Sequence, residues 1–284
     1  MKQTLRLILL LSALLVVGGA AVVQAQTSGS FTVNCDDGSS FTNGVEFRVI
    51  QMRAGYDYKA TAVGLNGFDP VLAVLDETGD GLCNDDAAGA ARYAADLPST
   101  GVVRASQLSS QITFNPSSDT GFVDVSLVVG GYGDQPGEFI LILEGMGATE
   151  ADNGGDPVVV MLTQDMINSG TLAGYMITRG QSNVDPVVSL VDSDYAPLTD
   201  DSGAAILCDD SGTNSCWGTT SDLSDYSVTI NTGTLPGWQY DAYLNLDISG
   251  LTMSKDPDEN WLQFLLSSYP GTSGQYLAVF HAGV

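Results

Sequence analysis

The chain has 284 residues, 34 of them acidic and nine basic, for a formal charge of −25, and 44% are hydrophobic. That apolar fraction is enough to build a core, so the acidity is not that of a disordered polyanion. Nine cations cannot assemble a face that neutralises phosphates, which excludes electrostatic binding of nucleic acid.

At the start of the chain, Lys2 and Arg6 precede the apolar run Leu7–Val23, and Val23-Gln24-Ala25 puts small residues at the −3 and −1 positions before Gln26. A charged n-region, an apolar h-region and an A-x-A-like end predict a secretory signal over residues 1–25. A retained membrane anchor is the alternative. Without the signal, 34 acids stand against seven bases, or −27, and the predicted location is outside the cell or at its surface. Cys35, Cys83, Cys208 and Cys216 form an even set with no C-x-x-C pair, so disulfides rather than zinc are expected in an oxidising compartment.

Beyond the signal, short β-branched runs replace any sustained 3.6-residue spacing: Ser30–Val33, Val45–Gln51, Tyr56–Val63, Gln111–Phe114 and Tyr226–Ile230. A self-match organises them. Ser126–Tyr132 followed by Gly137–Leu143 recurs without a gap as Gln263–Tyr269 and Gly274–Phe280, each copy reading as two core strands joined by a turn. Upstream, Phe68-Asp69-Pro70 opens an apolar run that recurs as Val184-Asp185-Pro186. Proline is expected at the first residue of the strand, with the preceding Asp capping the turn. Leu82-Cys83-Asn84-Asp85-Asp86 then matches Leu207-Cys208-Asp209-Asp210. The second copy is longer: nine extra residues are expected between the strand and the acidic loop, and twelve more in the middle of the copy, where Gly233–Trp238 and Ser249–Asn260 look loop-like.

The expected fold is all-β: two tandem antiparallel β-sandwich (jelly-roll-like) domains, residues 26–146 and 157–284, joined by an acidic linker over 147–156. Cys83 and Cys208 occupy equivalent positions, so pairing within each domain is expected, as Cys35–Cys83 and Cys208–Cys216.

The Asp-Pro strand (Asp69-Pro70, Asp185-Pro186), the acidic loop (Asp85-Asp86, Asp209-Asp210) and the final hairpin (Gly137-Glu138-Phe139, Gly274-Gln275-Tyr276) together resemble the bacterial pre-peptidase C-terminal domain. The resemblance covers about 45–145 and 157–284. It implies jelly-roll sandwiches of secreted proteins that often accompany peptidase domains and sometimes bind calcium or extracellular polymers. The cysteines and the longer second copy depart from that pattern, and the chain contains no peptidase domain.

Calcium is the cofactor expected from the residues, because a hard cation takes oxygen ligands and the chain clusters them in equivalent loops. The candidate ligands are Asp69, Asp76, Asp80, Asp85 and Asp86 in the first copy and Asp185, Asp200, Asp201, Asp209 and Asp210 in the second. Asp76-x-x-x-Asp80-Gly81 starts like an EF-hand loop but has Ala87 where the bidentate Glu belongs, and a solvated acidic loop is the alternative. Asp119-Thr120-Gly121, Asp201-Ser202-Gly203 and Asp210-Ser211-Gly212 imitate aspartic-protease tripeptides without the apolar strand that precedes such a motif. A Ser-His-Asp triad would have to use His281, the only histidine, which the repeat makes equivalent to Glu144. Trp217 and Trp238 are candidates for stacking on a ligand, whereas Trp261 opens a strand. The expected function is that of a secreted, non-catalytic module that binds an extracellular polymer or protein. A hydrolase or hydrolase accessory subunit with an acidic site is the alternative.

Overall fold

Alternating apolar residues cut by Gly, Pro and Asp turns leave few segments with a helical face to bury, and the computed structural model is built almost wholly of antiparallel strands. It describes residues 33–35, 38–76, 79, 81–148, 155–180, 182–213, 215–218, 221–256 and 259–284. The predicted signal over 1–25 and Asp80 lie outside the described residues, as does the middle of the predicted linker.

The first repeat contains β1 (Val33–Asn34), β2 (Ser40–Phe41), β3 (Gly44–Arg53), β4 (Tyr58–Gly64), β5 (Pro70–Leu75), β6 (Gly81–Asn84), β7 (Ala94–Leu97), β8 (Gly101–Arg104), β9 (Ser110–Phe114), β10 (Phe122–Gly131) and β11 (Glu138–Ala148). The second contains β12 (Asp156–Met161), α1 (Gln164–Ser169), β13 (Thr171–Thr178), β14 (Pro186–Val191), β15 (Leu207–Cys208), β16 (Ser227–Ile230), β17 (Gly233–Pro236), β18 (Ala242–Asp247), β19 (Trp261–Ser268) and β20 (Gly274–Gly283). Both Asp-Pro prolines begin their strands, where a missing N–H is harmless.

Three expectations need correction. Gly147, Ala148 and Asp156, assigned to the linker, are the ends of β11 and β12, because their backbones continue ladders with β20 and β19. Gly233–Pro236 is not an inserted loop but a strand that pairs with β16, as β8 pairs with β7. The helix α1 was missed: Thr163 Oγ1 accepts the Met166 N–H at 3.1 Å and Gly170 closes the other end at φ 79°, but six residues are too few to show a period.

Repeats that are consecutive in sequence lie side by side in space and share their sheets. The eight-stranded sheet runs β15-β14-β19-β12-β3-β10-β5-β6, and the six-stranded sheet runs β18-β13-β20-β11-β4-β9. A four-stranded layer, β17-β16-β7-β8, covers the outer side of the six-stranded one. Each sheet reads the same from either edge once a strand is replaced by its counterpart in the other repeat. A pseudo-two-fold axis therefore passes through the antiparallel pairs β3–β12, β11–β20 and β7–β16.

This arrangement explains why β11 and β20 read as nearly unbroken apolar runs. Phe139, Leu141, Leu143, Ala278 and Phe280 face the eight-stranded sheet, while Ile140, Ile142, Leu277 and Val279 face the four-stranded layer, so both sides of each strand are buried. The first core crosses the repeat boundary, with the Phe47 and Phe280 rings 5.2 Å apart. On the far side of the eight-stranded sheet, β1 and β2 lay Phe41 over Gly44 and Gly130, where any Cβ would collide with the ring. The disulfide Cys35–Cys83 ties that hairpin to β6, and Cys208–Cys216 closes the loop after β15. Because sheets and core are shared, we expect the chain to unfold in one calorimetric transition, with calorimetric and van't Hoff enthalpies equal. Two resolved transitions would show that the repeats are energetically independent.

Candidate metal centres

The Asp-Pro corner places the first carboxylate of each site. At the start of β5 the Asp69 carbonyl accepts the Tyr132 N–H at 2.9 Å, and at the start of β14 the Asp185 carbonyl accepts the Tyr269 N–H at 2.8 Å. With the backbone carbonyl held by the β10–β11 or β19–β20 turn, the side chain is directed at the acidic loop that follows β6 or β15. In the first repeat, the carbonyls of Pro70 and Asp85 share the single proton of Ser110 Oγ, which lies between strand and loop. Asn84 Oδ1 is occupied by the Gln111 N–H at 3.1 Å.

Two clusters result, each with three carboxylate oxygens within 4.8 Å of one another: Asp69, Asp85 and Asp86, and Asp185, Asp209 and Asp210. Two oxygens on one calcium ion, at roughly 2.3–2.6 Å from it, are no farther apart than about 5 Å. Asp69 Oδ1, Asp185 Oδ1, Asp209 Oδ1 and Asp210 Oδ1 are each buried without a hydrogen-bond partner. A buried carboxylate oxygen with no donor is costly, and a cation is the compensation that the neighbouring carboxylates can share. Burial first, and then the charge of Asp86, pushes the Asp69 carboxyl above the ordinary range. Burial followed by Asp210 and Asp209 does the same to Asp185, and burial followed by Asp210 does so to Asp209. The donor set is all oxygen, with both neighbouring cysteines in disulfides, so it suits a hard cation. On these observations the residues fit calcium.

The other predicted ligands are placed elsewhere. Asp200 is consumed by its own turn: Oδ1 accepts from Ser202 N, Ser202 Oγ and Ala204 N, and Oδ2 accepts from Trp217 Nε1 at 3.0 Å. Those donors, the Ser202 hydroxyl foremost, hold its carboxyl down at about 2. Asp201 is exposed in the same turn, and Asp76 is exposed at the end of β5. Neither joins a cluster, because proximity in sequence to an acidic loop does not bring a side chain across the strand end. Asp69 does not cap its turn through Oδ1 as expected, since that oxygen has no partner.

The enzymatic candidates are equally well placed for comparison. His281 lies on β20, 2% exposed, with Nδ1 3.0 Å from Ser99 Oγ in the β7–β8 turn. A serine is therefore beside it, but Nε2 is buried without a partner, so no carboxylate orients the ring. Burial alone lowers its pKa to about 4. Its counterpart Glu144 is also buried, and it accepts the Tyr93 hydroxyl and lies 3.9 Å from Lys59 and 3.7 Å from Arg179. Asp119 and Asp201 stand in exposed turns of different strand connections, apart from the clusters. A cleft of about 580 Å³ opens at one end of the repeat junction, where Asp156 is the one carboxylate among the described lining residues and is held by the Tyr276 hydroxyl. Trp217 packs against the first core, whereas Trp238 is exposed.

No protein-family model matches the chain, and no curated protein matches it. Two disulfides, and the absence among the described residues of any helix long and apolar enough to cross a membrane, are compatible with an extracellular protein.

Proposed function

We propose that the chain is an exported, non-catalytic binding or structural module, stabilised by one calcium ion in each repeat. The observation that carries this reading is the pair of three-carboxylate clusters at equivalent strand ends, with buried oxygens that no donor satisfies at Asp69 in one and at Asp185, Asp209 and Asp210 in the other. Asp69, Asp85 and Asp86 would hold one ion and Asp185, Asp209 and Asp210 the other. Bound calcium would supply charge neutralisation where the −27 chain crowds its carboxylates. The resemblance to pre-peptidase C-terminal domains points the same way.

The non-catalytic part is supported by the chemistry of the candidate groups. A general base must reach its substrate, and His281 is buried in the second core with one nitrogen unpartnered. Among the described residues the cleft is lined by one carboxylate, Asp156, and the Tyr276 hydroxyl already occupies it.

Calorimetric titration of chelator-treated protein with calcium tests the reading. The expected stoichiometry is two, falling to one in Asp85→Asn/Asp86→Asn and to one in Asp209→Asn/Asp210→Asn. No saturable heat would remove the metal assignment. Turnover of a peptide or glycan substrate that a single Asp→Asn change abolishes would establish the hydrolase instead.

A further inference from the structure

The pseudo-two-fold repeat provides an internal comparison for a turn that packs against each acidic loop. In the first repeat, Ser106–Ser109 connects β8 to β9. The Ser109 N–H donates to the Ser106 carbonyl at 3.3 Å, Ser109 Oγ accepts the Ser106 N–H at 3.1 Å, and the Ser109 carbonyl accepts the Ala87 N–H at 2.9 Å. In the second repeat, Trp238-Gln239-Tyr240-Asp241 connects β17 to β18 with the same three bonds. The Asp241 N–H donates to the Trp238 carbonyl at 2.8 Å, Asp241 Oδ2 accepts the Trp238 N–H at 2.9 Å, and the Asp241 carbonyl accepts the Ser211 N–H at 3.1 Å. The turn itself can thus be made from serines. Trp238, Tyr240 and the carboxylate of Asp241 are not required by its geometry.

What the second repeat adds is a rigid aromatic display. Trp238 is 45% exposed, with its ring 4.5 Å from that of Tyr240 in an edge arrangement. Asp241 is fully buried, and its Oδ1 also accepts the Thr178 N–H at 2.9 Å and the Thr178 hydroxyl at 2.6 Å, which fixes the turn to β13. The Gly212 N–H donates to the Gln239 carbonyl at 2.9 Å. Gly237 sits so close to the Leu223 carbonyl that a Cβ would lie 2.1 Å from it. Burial raises the Asp241 carboxyl to about 6 in spite of its three donors, so holding this turn costs the fold stability. That cost secures an indole in solvent, where it contributes no core packing. A rigid aromatic side chain on a buttressed loop is the form in which a protein minimises the ordering cost of binding.

We propose that the Trp238–Tyr240 turn is a carbohydrate-stacking platform for an uncharged polysaccharide. The proposal rests on the reading of the chain as a binding module and names the ligand class. A sugar ring offers a flat C–H face to the indole and hydroxyls to the exposed Gln239 amide beside it. Charge selects against anionic polymers, since the turn lies against the Asp209–Asp210 loop and Asp222 in a chain of −25. Asp241 is buried and accepts from Thr178 and Trp238, so the carboxylate within the turn itself is not offered to a cationic peptide. An open platform rather than a pocket suits an extended chain of sugars.

The test is affinity electrophoresis of the full chain, with calcium present, through gels containing hydroxyethyl cellulose, xylan, mannan or mixed-linkage β-glucan, together with pull-down on chitin. Retardation by at least one neutral polysaccharide is expected, at least tenfold weaker in Trp238→Ala and weaker also in Tyr240→Ala. Trp238→Phe should recover part of it, and Ser106→Ala in the first repeat should leave it unchanged. Unaltered calcium stoichiometry and melting temperature in Trp238→Ala separate loss of the platform from loss of the fold. The platform is overturned by binding that Trp238→Ala leaves intact, or by no retention on any of the five polymers. It is equally overturned by Trp238-dependent binding of a lysine-rich peptide alone. None of these outcomes alters the calcium titration or the turnover assay, on which the metal assignment and the module reading stand or fall separately.

Discussion

Calcium at a hundredfold excess over its dissociation constant should raise the stability of the chelator-treated protein by about 2.7 kcal/mol for each occupied site. For a chain of this size, roughly 2–4 °C of melting temperature accompanies each kcal/mol, so one site corresponds to about 5–10 °C. The effect depends on oxygens that folding buries without donors, at Asp69 in one repeat and at Asp185, Asp209 and Asp210 in the other. Sodium chloride at matched ionic strength relieves only the long-range part of the repulsion, because a cluster 4.8 Å across lies well inside a Debye length. Asp85→Asn with Asp86→Asn should abolish the share of the first repeat, and Asp209→Asn with Asp210→Asn that of the second. Each pair of substitutions should also raise the melting temperature of the cation-free protein, since it removes carboxylates that now repel Asp69 or Asp185. Coincident melting curves in calcium and in matched salt would identify both clusters as solvated acidic surface.

The six carboxylates of those clusters were legible in the sequence for a physical reason. Asp-Pro fixes both the start of a strand and the corner before it, so Asp69 and Asp185 could be assigned a position on the fold as well as a residue type. Asp85-Asp86 and Asp209-Asp210 follow a disulfide cysteine within two residues in both copies, which places them in the same loop without fixing a common register. Asp76 had an incomplete EF-hand-like start in its favour and Asp200 and Asp201 only composition, which does not say whether a carboxylate is already capping a turn, as Asp200 is.

The fold class was readable from alternation and from the repeat, but the union of the two repeats was not. Pairing of β3 with β12 and of β11 with β20 leaves no local signature, because an edge strand and a central strand differ in what lies beside them rather than in their own residues. The nearly continuous apolar runs of β11 and β20 were the available hint, since a strand with one wet face would alternate. Trp238 was a stacking candidate from the sequence, but the equivalence of its turn with Ser106–Ser109 was hidden by placing Gly233–Trp238 in an insertion. Only the bond-by-bond match with Ser106–Ser109 shows that the second repeat keeps the turn and changes what it presents.

Replacing His281 or Asp241 should tilt the pH dependence of stability in opposite directions. Burial lowers the pKa of His281 from 6.5 to about 4, so between those values the unfolded chain binds the proton that the folded chain refuses. The stability His281 contributes is present above pH 6.5 and is lost, by about 3 kcal/mol, as pH falls toward 4. Its neighbours explain the refusal: Ser99 Oγ reaches Nδ1, Nε2 has no acceptor, and the flanking strand residues are Ile140 and Ala173. Asp241 behaves in the reverse sense. Burial lifts its carboxyl from 3.8 to about 6, so the folded chain holds the proton longer, and stability falls by about 3 kcal/mol as pH rises through that window. In the native chain the two contributions oppose each other across pH 4–6, and neither shows in the profile. Denaturant unfolding at fixed calcium, taken as variant minus native at each pH, separates them because every other titrating group cancels. His281→Gln should gain on the native protein as pH falls from 6.5 to 4, while Asp241→Asn should lose on it from 6 to 4. Two difference curves that stay level across that range would mean that both groups titrate alike in the folded and unfolded chain, and that neither is desolvated as its burial requires.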